Sequence, residues 1–226
     1  MCGRFALISD GTLIAGVFRL KAIPSLAGPQ FNVAPGQRIA AILNLPVPAL
    51  EFLRWGLVPS WAKDPKIGYK MINARAETVA EKPAFRAAFR SRRCLIPADG
   101  FFEWMKTGKA KQPMYVRLKS RTPFAIAGLW ESWNAPDGSN LKSATILTTG
   151  PNALMKKIHD RMPVILPPEA WEAWLNPAKG EPDPFKDLLK PYPAKEMEAY
   201  PVSTLVNSPR NNVKEVFDPL NPASEG

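Results

Sequence analysis

Twenty-five prolines are spread through the 226 residues without low-complexity tracts. Proline lacks a backbone N–H and interrupts both helix interiors and central strands, so this chain is restricted to short elements joined by ordered turns. A hydrophobic content of 46% over this length is enough to bury a core. The sequence therefore predicts one domain over residues 1–226, with a flexible tail at about 218–226.

Five apolar runs rich in β-forming residues are each bounded by turn residues. They are residues 37–44, 50–55, 114–118, 124–130 and 144–149. A further strand is predicted within residues 201–212. Because helical signals are few, we expect an α+β fold whose curved, mostly antiparallel, barrel-like sheet is flanked by short helices.

Two segments do predict helices. In residues 77–92, Phe85 and Phe89 lie four positions apart, and the arginines could follow a phosphate backbone. These arginines are Arg86, Arg90, Arg92 and Arg93. A second helix is predicted to begin at Pro167, with an acidic first turn and two tryptophans facing the core.

The charge and the scarcity of metal-binding side chains limit the classes of function. A net charge of +10 favours polyanionic partners, although a basic surface can also serve only solubility. Two cysteines outside any CxxC pair and a single histidine argue against a disulfide framework, a zinc site and HExxH chemistry. We expect no metal and no cofactor. With neither a leader pattern nor a long apolar run, we expect a cytoplasmic, membrane-free monomer, associated with the nucleoid when bound to DNA.

Cys2 directly follows the initiator methionine, and its small side chain favours methionine removal. The mature residue would carry an α-amine with a pKa near ~8 beside a thiol with a pKa near ~8.5, so both reactive forms would be available at neutral pH. Such a 1,2-aminothiol converts an aldehyde into a Schiff base and then into a five-membered thiazolidine. For Cys2 considered alone, a cysteine at position 2 by chance is the far commoner explanation.

Three other segments place polar groups beside apolar ones. In residues 71–78, Asn73 and Arg75 alternate with apolar neighbours, so a strand would present an amide and a guanidinium on one face. In residues 93–104, flanking aromatic residues are expected to raise the pKa of Glu103, making it a candidate general acid or base. In residues 158–163, His159 can exchange a proton near neutral pH.

Together with MCGRF at the start, FNVAPGQ, WGLVPSWA and PVSTLVN, these segments resemble the SRAP family, the SOS-response-associated peptidases also described as abasic-site processing proteins. The resemblance covers most of the chain. It implies that mature Cys2 forms a thiazolidine crosslink with the ring-opened deoxyribose of an abasic site in single-stranded DNA, which protects the lesion during the DNA damage response. It also implies a peptidase activity that removes Met1, although a methionine aminopeptidase could do the same.

Residue roles follow from the motif positions of the resemblance. Asn73 would hold Cys2 and the sugar, Glu103 would move protons, and His159 would assist Schiff-base chemistry or reversal of the crosslink. Arginines of the motifs would contact phosphates, and Trp104 with Pro35 would stack on or separate bases. The predicted DNA-binding residues are Arg4, Asn32, Pro35, Trp61, Arg75, Trp104 and Arg161.

Two other functions are compatible with the same residues. A thiol peptidase would use Cys2 to attack a peptide of another protein, helped by His159 and Glu103. A non-catalytic single-strand binder would rely on phosphate contacts and stacking alone, and its Cys2 would be dispensable.

Overall fold

The computed structural model of the protein describes residues 2–43, 47–177, 185 and 187–220. Within them the backbone forms thirteen strands and three α-helices. The longest of these helices is Gly11–Phe18. The strands are β1 Phe5–Leu7, β2 Gln30–Val33, β3 Arg38–Leu43, β4 Ala49–Trp55, β5 Asn73–Arg75, β6 Arg93–Ala98, β7 Gly100–Thr107, β8 Ala110–Leu118, β9 Phe124–Asn134, β10 Asn140–Thr149, β11 Met162–Pro163, β12 Ile165–Leu166 and β13 Met197–Pro201. The α-helices are α1 Gly11–Phe18, α2 Arg86–Ser91 and α3 Trp171–Leu175.

Five strands close into a barrel in the order β10-β4-β3-β6-β9, with β9 pairing back onto β10. The pairs are antiparallel except that β4 runs parallel to β10. Short β5 also pairs in parallel with β10, beyond the end of β4. The expected α+β fold with a barrel-like, mostly antiparallel sheet is confirmed, and all five predicted strands are present.

A second sheet has the order β13-β8-β7-β1-β2. Strand β1 is an inner strand, paired antiparallel with both β2 and β7. Most buried apolar side chains of both sheets belong to one continuous core. The segment that begins with Cys2 is therefore held between strands that lie far apart in the sequence.

The helix predicted over residues 77–92 is wrong in extent. Only α2, Arg86–Ser91, is α-helical, and residues 77–85 are mainly turns. Pro83 explains the difference, because proline is tolerated in a first helical turn but not in a helix interior, and it disfavours a helical residue before it. Phe85 and Phe89 are both buried as expected.

The prediction that Arg93 contributes to a basic surface is also wrong. It is fully buried at the start of β6, and its guanidinium donates to backbone carbonyls at the ends of α2 and α3. Carbonyl groups in the last turn of a helix have no intrahelical partner, so a cation placed there satisfies them. The guanidinium carbon also lies 4.2 Å from the ring centroid of Phe185. Arg93 is therefore part of the core.

The last strand lies earlier in the sequence than predicted. The returning strand is β13, Met197–Pro201, whereas the segment Thr204–Asn207 forms a 3₁₀ turn. Residues 218–220 of the predicted flexible tail are held in place, since Val202 bridges to Pro219 and the Leu220 N–H donates to the Pro201 carbonyl at 3.0 Å. Residues 221–226 lie outside the described part. None of the helices described has both the length and the apolar character to span a bilayer.

Candidate functional site

Cys2 lies three residues before β1 and is fully buried. The Asn73 side-chain amide donates from Nδ2 to the Cys2 carbonyl at 2.9 Å. Asn73 begins β5, where it is the register partner of Ile146 on β10. The barrel therefore positions the amide that fixes the backbone of Cys2. The other amide atom, Asn73 Oδ1, is buried and accepts no hydrogen bond from the described residues.

Glu103 lies on β7, next to the strand that Cys2 precedes, and is 2% exposed. Burial raises the pKa of its carboxyl to about 7. The direction agrees with the sequence prediction, but alternation along β7 divides the flanking aromatics: Phe101 lies in the main core, while Phe102 and Trp104 belong to a separate cluster. A carboxyl with this pKa can donate and accept protons at neutral pH.

His159 faces Glu103, with 3.9 Å between Nε2 and Oε2. Its Nδ1 accepts the backbone N–H of Arg161 at 3.0 Å and lies 2.8 Å from Asp160 Oδ1. One nitrogen cannot accept and donate at once, so the first contact requires Nδ1 without a proton and the second requires a proton on Nδ1. Burial lowers the pKa of His159, which favours the neutral ring, and when Nδ1 accepts the Arg161 N–H the remaining proton is on Nε2, toward Glu103.

The thiol of Cys2 differs from the sequence expectation. Burial, reinforced by the negative charge of Glu103, raises its pKa well above the usual range. The expectation that a useful fraction of thiolate is present at neutral pH without tuning is therefore wrong for this arrangement. Glu103 is therefore close enough for its charge to oppose ionisation of the Cys2 thiol.

Arg161 is engaged within the protein. Its guanidinium binds both carboxylate oxygens of Glu77, at 2.5 and 2.9 Å, and donates to the Thr148 carbonyl at 2.6 Å. Since the backbone N–H of Arg161 also binds His159, this ion pair braces the turn that carries the imidazole. A phosphate reaching Arg161 would have to share the guanidinium with Glu77. The sequence did not single out Glu77 as a site residue, although it lies in the same segment, 71–78, as Asn73.

We expect Glu77→Gln to weaken the ion pair with Arg161 and to change the tautomer of the His159 ring. Because Glu77 is half exposed, the free energy of unfolding should fall by at most about 1 kcal/mol. The Arg161 hydrogen bond lowers the pKa of Glu77, so this contribution is present at neutral pH and is lost as the pH falls through the acidic range. His159 is the only histidine. Long-range ¹⁵N NMR therefore reports its tautomer without overlap, and an unchanged spectrum would rule out the brace.

Arg4 and Asn32 are buried, which differs from a placement on the DNA surface. Arg4 donates to Asn32 Oδ1 at 2.7 Å and to the Val206 carbonyl, and Asn32 Nδ2 donates to the carbonyls of Ser208 and Asn211. These bonds fix the 206–211 loop. Arg4 and Asn32 therefore support the 206–211 loop from within the protein and do not lie on the predicted DNA-binding surface.

Trp104 stands at the edge of this loop. Its indole N–H donates to Asn207 Oδ1 at 2.8 Å, and the Arg4 guanidinium carbon lies 5.8 Å from the ring centroid. The indole is half-buried, so one part is held while another faces solvent. Asn207 was not predicted from the sequence, although the PVSTLVN segment ends on it.

The remaining predicted DNA-binding residues are accessible. Arg75 is exposed on β5, and Ala74 between it and Asn73 is buried, as the predicted alternation requires. Pro35 is half-buried in the turn after β2, and Trp61 is 60% exposed. No group of three or more potential metal ligands among His, Cys, Asp and Glu occurs within the described ranges.

A family model described as SOS response associated peptidase (SRAP) matches residues 1–209. The chain belongs to the SRAP family. Among its relatives, the abasic site processing protein YoqW of Bacillus subtilis (strain 168) is 54% identical to this SRAP chain over 222 residues, which is 96% of this chain and 99% of that protein. The abasic site processing protein HMCES of Xenopus tropicalis is 36% identical over 220 residues, covering 83% of this chain and 65% of that protein.

The SRAP fold is also present in solved structures. A crystal structure of a protein from Bacteroides thetaiotaomicron superposes with a TM-score of 0.88 at 29% identity, covering 97% of this chain and 100% of the other. A protein from Bordetella bronchiseptica gives a TM-score of 0.77 at 28% identity, covering 89% and 100%. The barrel and second sheet described above are therefore those of the SRAP family.

Proposed function

We propose that this SRAP protein processes abasic sites in single-stranded DNA and that its mature Cys2 forms a covalent thiazolidine with the lesion. The observation that carries the proposal is the placement of Cys2, anchored through its carbonyl by Asn73, beside a carboxyl with a pKa of about 7. The names of the relatives, abasic site processing proteins, support the same substrate.

The reaction is a condensation in two steps. The α-amine of Cys2 adds to the C1′ aldehyde of the ring-opened sugar, and loss of water from the carbinolamine gives an imine. The thiol then adds to the imine carbon, with a C–S bond formed and the thiol proton transferred to the nitrogen. One water molecule is released overall and no redox partner is needed. Ring closure is intramolecular, so it benefits from effective molarities of ~10⁵ M or more.

Each step requires a proton transfer that Glu103 can provide. As an acid it protonates the departing hydroxyl of the carbinolamine, and as a carboxylate it takes the proton of the buried thiol. The neutral His159, with Nε2 3.9 Å from Glu103, can exchange protons with this carboxyl during imine formation or crosslink reversal. The proposal assigns Asn73 Oδ1, which accepts no hydrogen bond from the described residues, to accept a sugar hydroxyl.

A free α-amine is a condition of this chemistry, because an amide nitrogen does not condense with an aldehyde. Met1 must therefore be removed before Cys2 can react. The family description includes a peptidase, and self-processing at Met1 is the peptidase activity that the proposal assigns to this chain. Removal by a methionine aminopeptidase would yield the same mature protein.

DNA binding is proposed to use the accessible basic and aromatic residues beside this site. Arg75 shares a face of β5 with Asn73, and Pro35 and Trp61 lie on surface turns. The net charge of +10 supports a polyanionic strand. Affinity should fall by about 0.7 log units per log unit of salt for each phosphate contacted.

Denaturing electrophoresis tests the proposal against the alternatives. Mature protein is incubated with single-stranded DNA containing one abasic site, with intact DNA and with a panel of peptides. A heat-stable protein–DNA band only on abasic DNA is expected. Cleaved peptides without a band would support a thiol peptidase, and DNA binding without any band would support a non-catalytic binder.

We expect Trp104→Ala to weaken single-strand binding by roughly 1 to 3 kcal/mol, because a base stacked on the indole would be lost. The fold should survive, since the indole is half-buried and bound mainly to Asn207. Trp104→Phe keeps an aromatic face and should retain most of the affinity. Binding is measured by fluorescence anisotropy and folding by thermal unfolding. Unfolding of Trp104→Ala would instead make Trp104 a core residue.

A further inference from the structure

The segment between β4 and β5 carries two exposed aromatic rings and several cations. Trp61 is 60% exposed and Tyr69 is 62% exposed. Three exposed lysines share the segment: Lys63, Lys66 and Lys70. Large exposed aromatic side chains on a basic segment are unusual for a surface that serves solubility alone.

This segment is well fixed. Gly56 packs so closely on Gly68 that a Cβ on either would lie 2.6 Å from the carbonyl oxygen of the other. Ala62 accepts the indole N–H of Trp133 at 2.6 Å, and Asp64 caps the 3₁₀ turn Pro65–Lys70 by accepting the Lys66 N–H at 2.8 Å. The exposed rings are therefore presented by an ordered backbone.

Tyr69 also carries a cation on its ring. The Arg54 guanidinium carbon lies 4.9 Å from the Tyr69 ring centroid. Arg54 on β4 is the register partner of Arg38 on β3, so both side chains leave the same face of this hairpin, and the Arg38 guanidinium donates to the Phe52 carbonyl at 3.2 Å. No carboxylate among the described residues forms an ion pair with either arginine. Glu51, the acidic residue of β4, binds Lys142 instead.

This surface reaches the turn that contains Pro35, one of the predicted DNA-binding residues. A Cβ on Gly36 would lie 3.5 Å from the Tyr69 ring, so the ring rests on the turn that contains Pro35. Along β10, Arg54 pairs with Ser143 and Asn73 with Ile146. These register positions are three residues apart, an offset of about 10 Å along β10, and the odd number places Arg54 and Asn73 on opposite faces of the sheet. Side chains alternate along β4, so Arg54 lies on the face of the sheet opposite Trp55. A DNA strand bound at Cys2 would have to cross the edge of the sheet to reach Arg54 and Tyr69.

We propose that Tyr69, Arg54 and Arg38 form a second nucleotide-binding subsite, which holds the DNA strand flanking the lesion. Tyr69 stacks on a base, while Arg54 and Arg38 bind the phosphates on either side of it. The inference rests on the proposed function, because it takes the strand at Cys2 to continue over Pro35. A ring with a guanidinium beside it binds single strands without regard to sequence, since every base has a π-face.

The test compares strand lengths. The probes are intact and abasic single strands of about 16 nucleotides, the upper range of a single-strand site, and an abasic trinucleotide with the lesion at its centre, which extends only one nucleotide from the lesion on either side. Tyr69→Ala and Arg54→Gln are each compared with Tyr69→Phe and with Arg121→Gln. Arg121 is an exposed arginine in the turn after β8, in the other sheet.

We expect Tyr69→Ala and Arg54→Gln to reduce affinity for both long strands roughly 10-fold, with crosslinking of the trinucleotide unchanged. Tyr69→Phe and Arg121→Gln should bind long strands within about 2-fold of the parent protein. The high exposure of Tyr69 predicts an unchanged melting temperature for its variants.

Equal affinity of Tyr69→Ala and Arg121→Gln for long strands would overturn the subsite. A matched loss on the trinucleotide would also overturn it, because Tyr69 would then act on the site at Cys2. Absence of crosslinking by the parent protein would refute the proposed function alone, and the intact strand would still measure the subsite.

Discussion

Cys2→Ala is expected to eliminate the heat-stable crosslink while leaving a Schiff base that borohydride traps. Alanine is as small as cysteine for methionine removal, so the variant keeps its α-amine, and the Asn73 bond to the carbonyl of residue 2 does not involve the side chain. Without a thiol the imine cannot close into a thiazolidine and hydrolyses. Stable product should fall below detection, and the borohydride-trapped product should remain.

The matched control blocks the amine instead of the thiol. A tag before Cys2, or retention of Met1, should eliminate both the trapped and the stable product while reversible DNA binding persists. Abasic DNA with a reduced aldehyde should give no covalent product with any variant. Crosslinking by the tagged protein at the parent rate would disprove the thiazolidine mechanism and would indicate an internal nucleophile such as a lysine.

Glu103→Gln is expected to slow crosslinking by roughly 10² to 10⁴ fold with little change in DNA affinity. Glutamine keeps the size and polarity of the buried side chain, which is 2% exposed, but cannot transfer a proton. Single-turnover crosslinking and anisotropy on the same DNA measure the two effects separately. A parallel loss of affinity would assign Glu103 to structure.

The pH dependence gives a second test of the same carboxyl. With a pKa of about 7, Glu103 is mostly protonated below neutrality and mostly ionised above it. The acid form expels water from the carbinolamine, so its contribution to imine formation should decline as the pH rises through about 7. The ratio of parent to Glu103→Gln trapping rates cancels the titration of the α-amine. A ratio that is constant from pH 6 to 8 would contradict the role of general acid.

Strand patterns were predictable because the β-rich runs are local and bounded by turn residues. The error over residues 77–92 came from treating the spacing of Phe85 and Phe89 as a continuous helix, when Pro83 limits α2 to Arg86–Ser91. Arg93 looked like surface charge because its neighbours in sequence are arginines. Its acceptors are carbonyls at the ends of two helices, which depend on tertiary packing and leave no signal nearby in the sequence.

The sequence identified the residues of the candidate site but not their burial or their hydrogen-bond and ion-pair partners. Motif resemblance identified Cys2, Asn73, Glu103 and His159, and the structure joins Asn73 to Cys2 and His159 to Glu103. Burial of the Cys2 thiol was not predictable, because it depends on strands that fold around residue 2. Likewise, the ion pair of Glu77 with Arg161 spans 84 residues, so a short motif could not indicate it.

The position of β1 between β2 and β7 has a consequence for biosynthesis. Cys2 leaves the ribosome first, but Phe101, which pairs with Phe5 of β1, and Asn73, which binds the Cys2 carbonyl, are translated much later. Once Met1 is removed from the nascent chain, the aminothiol is therefore exposed to cellular aldehydes before a barrel exists to bury it. Slow translation or slow folding would lengthen that interval, and on the proposed mechanism a small-aldehyde adduct on Cys2 would leave a molecule that cannot react with DNA.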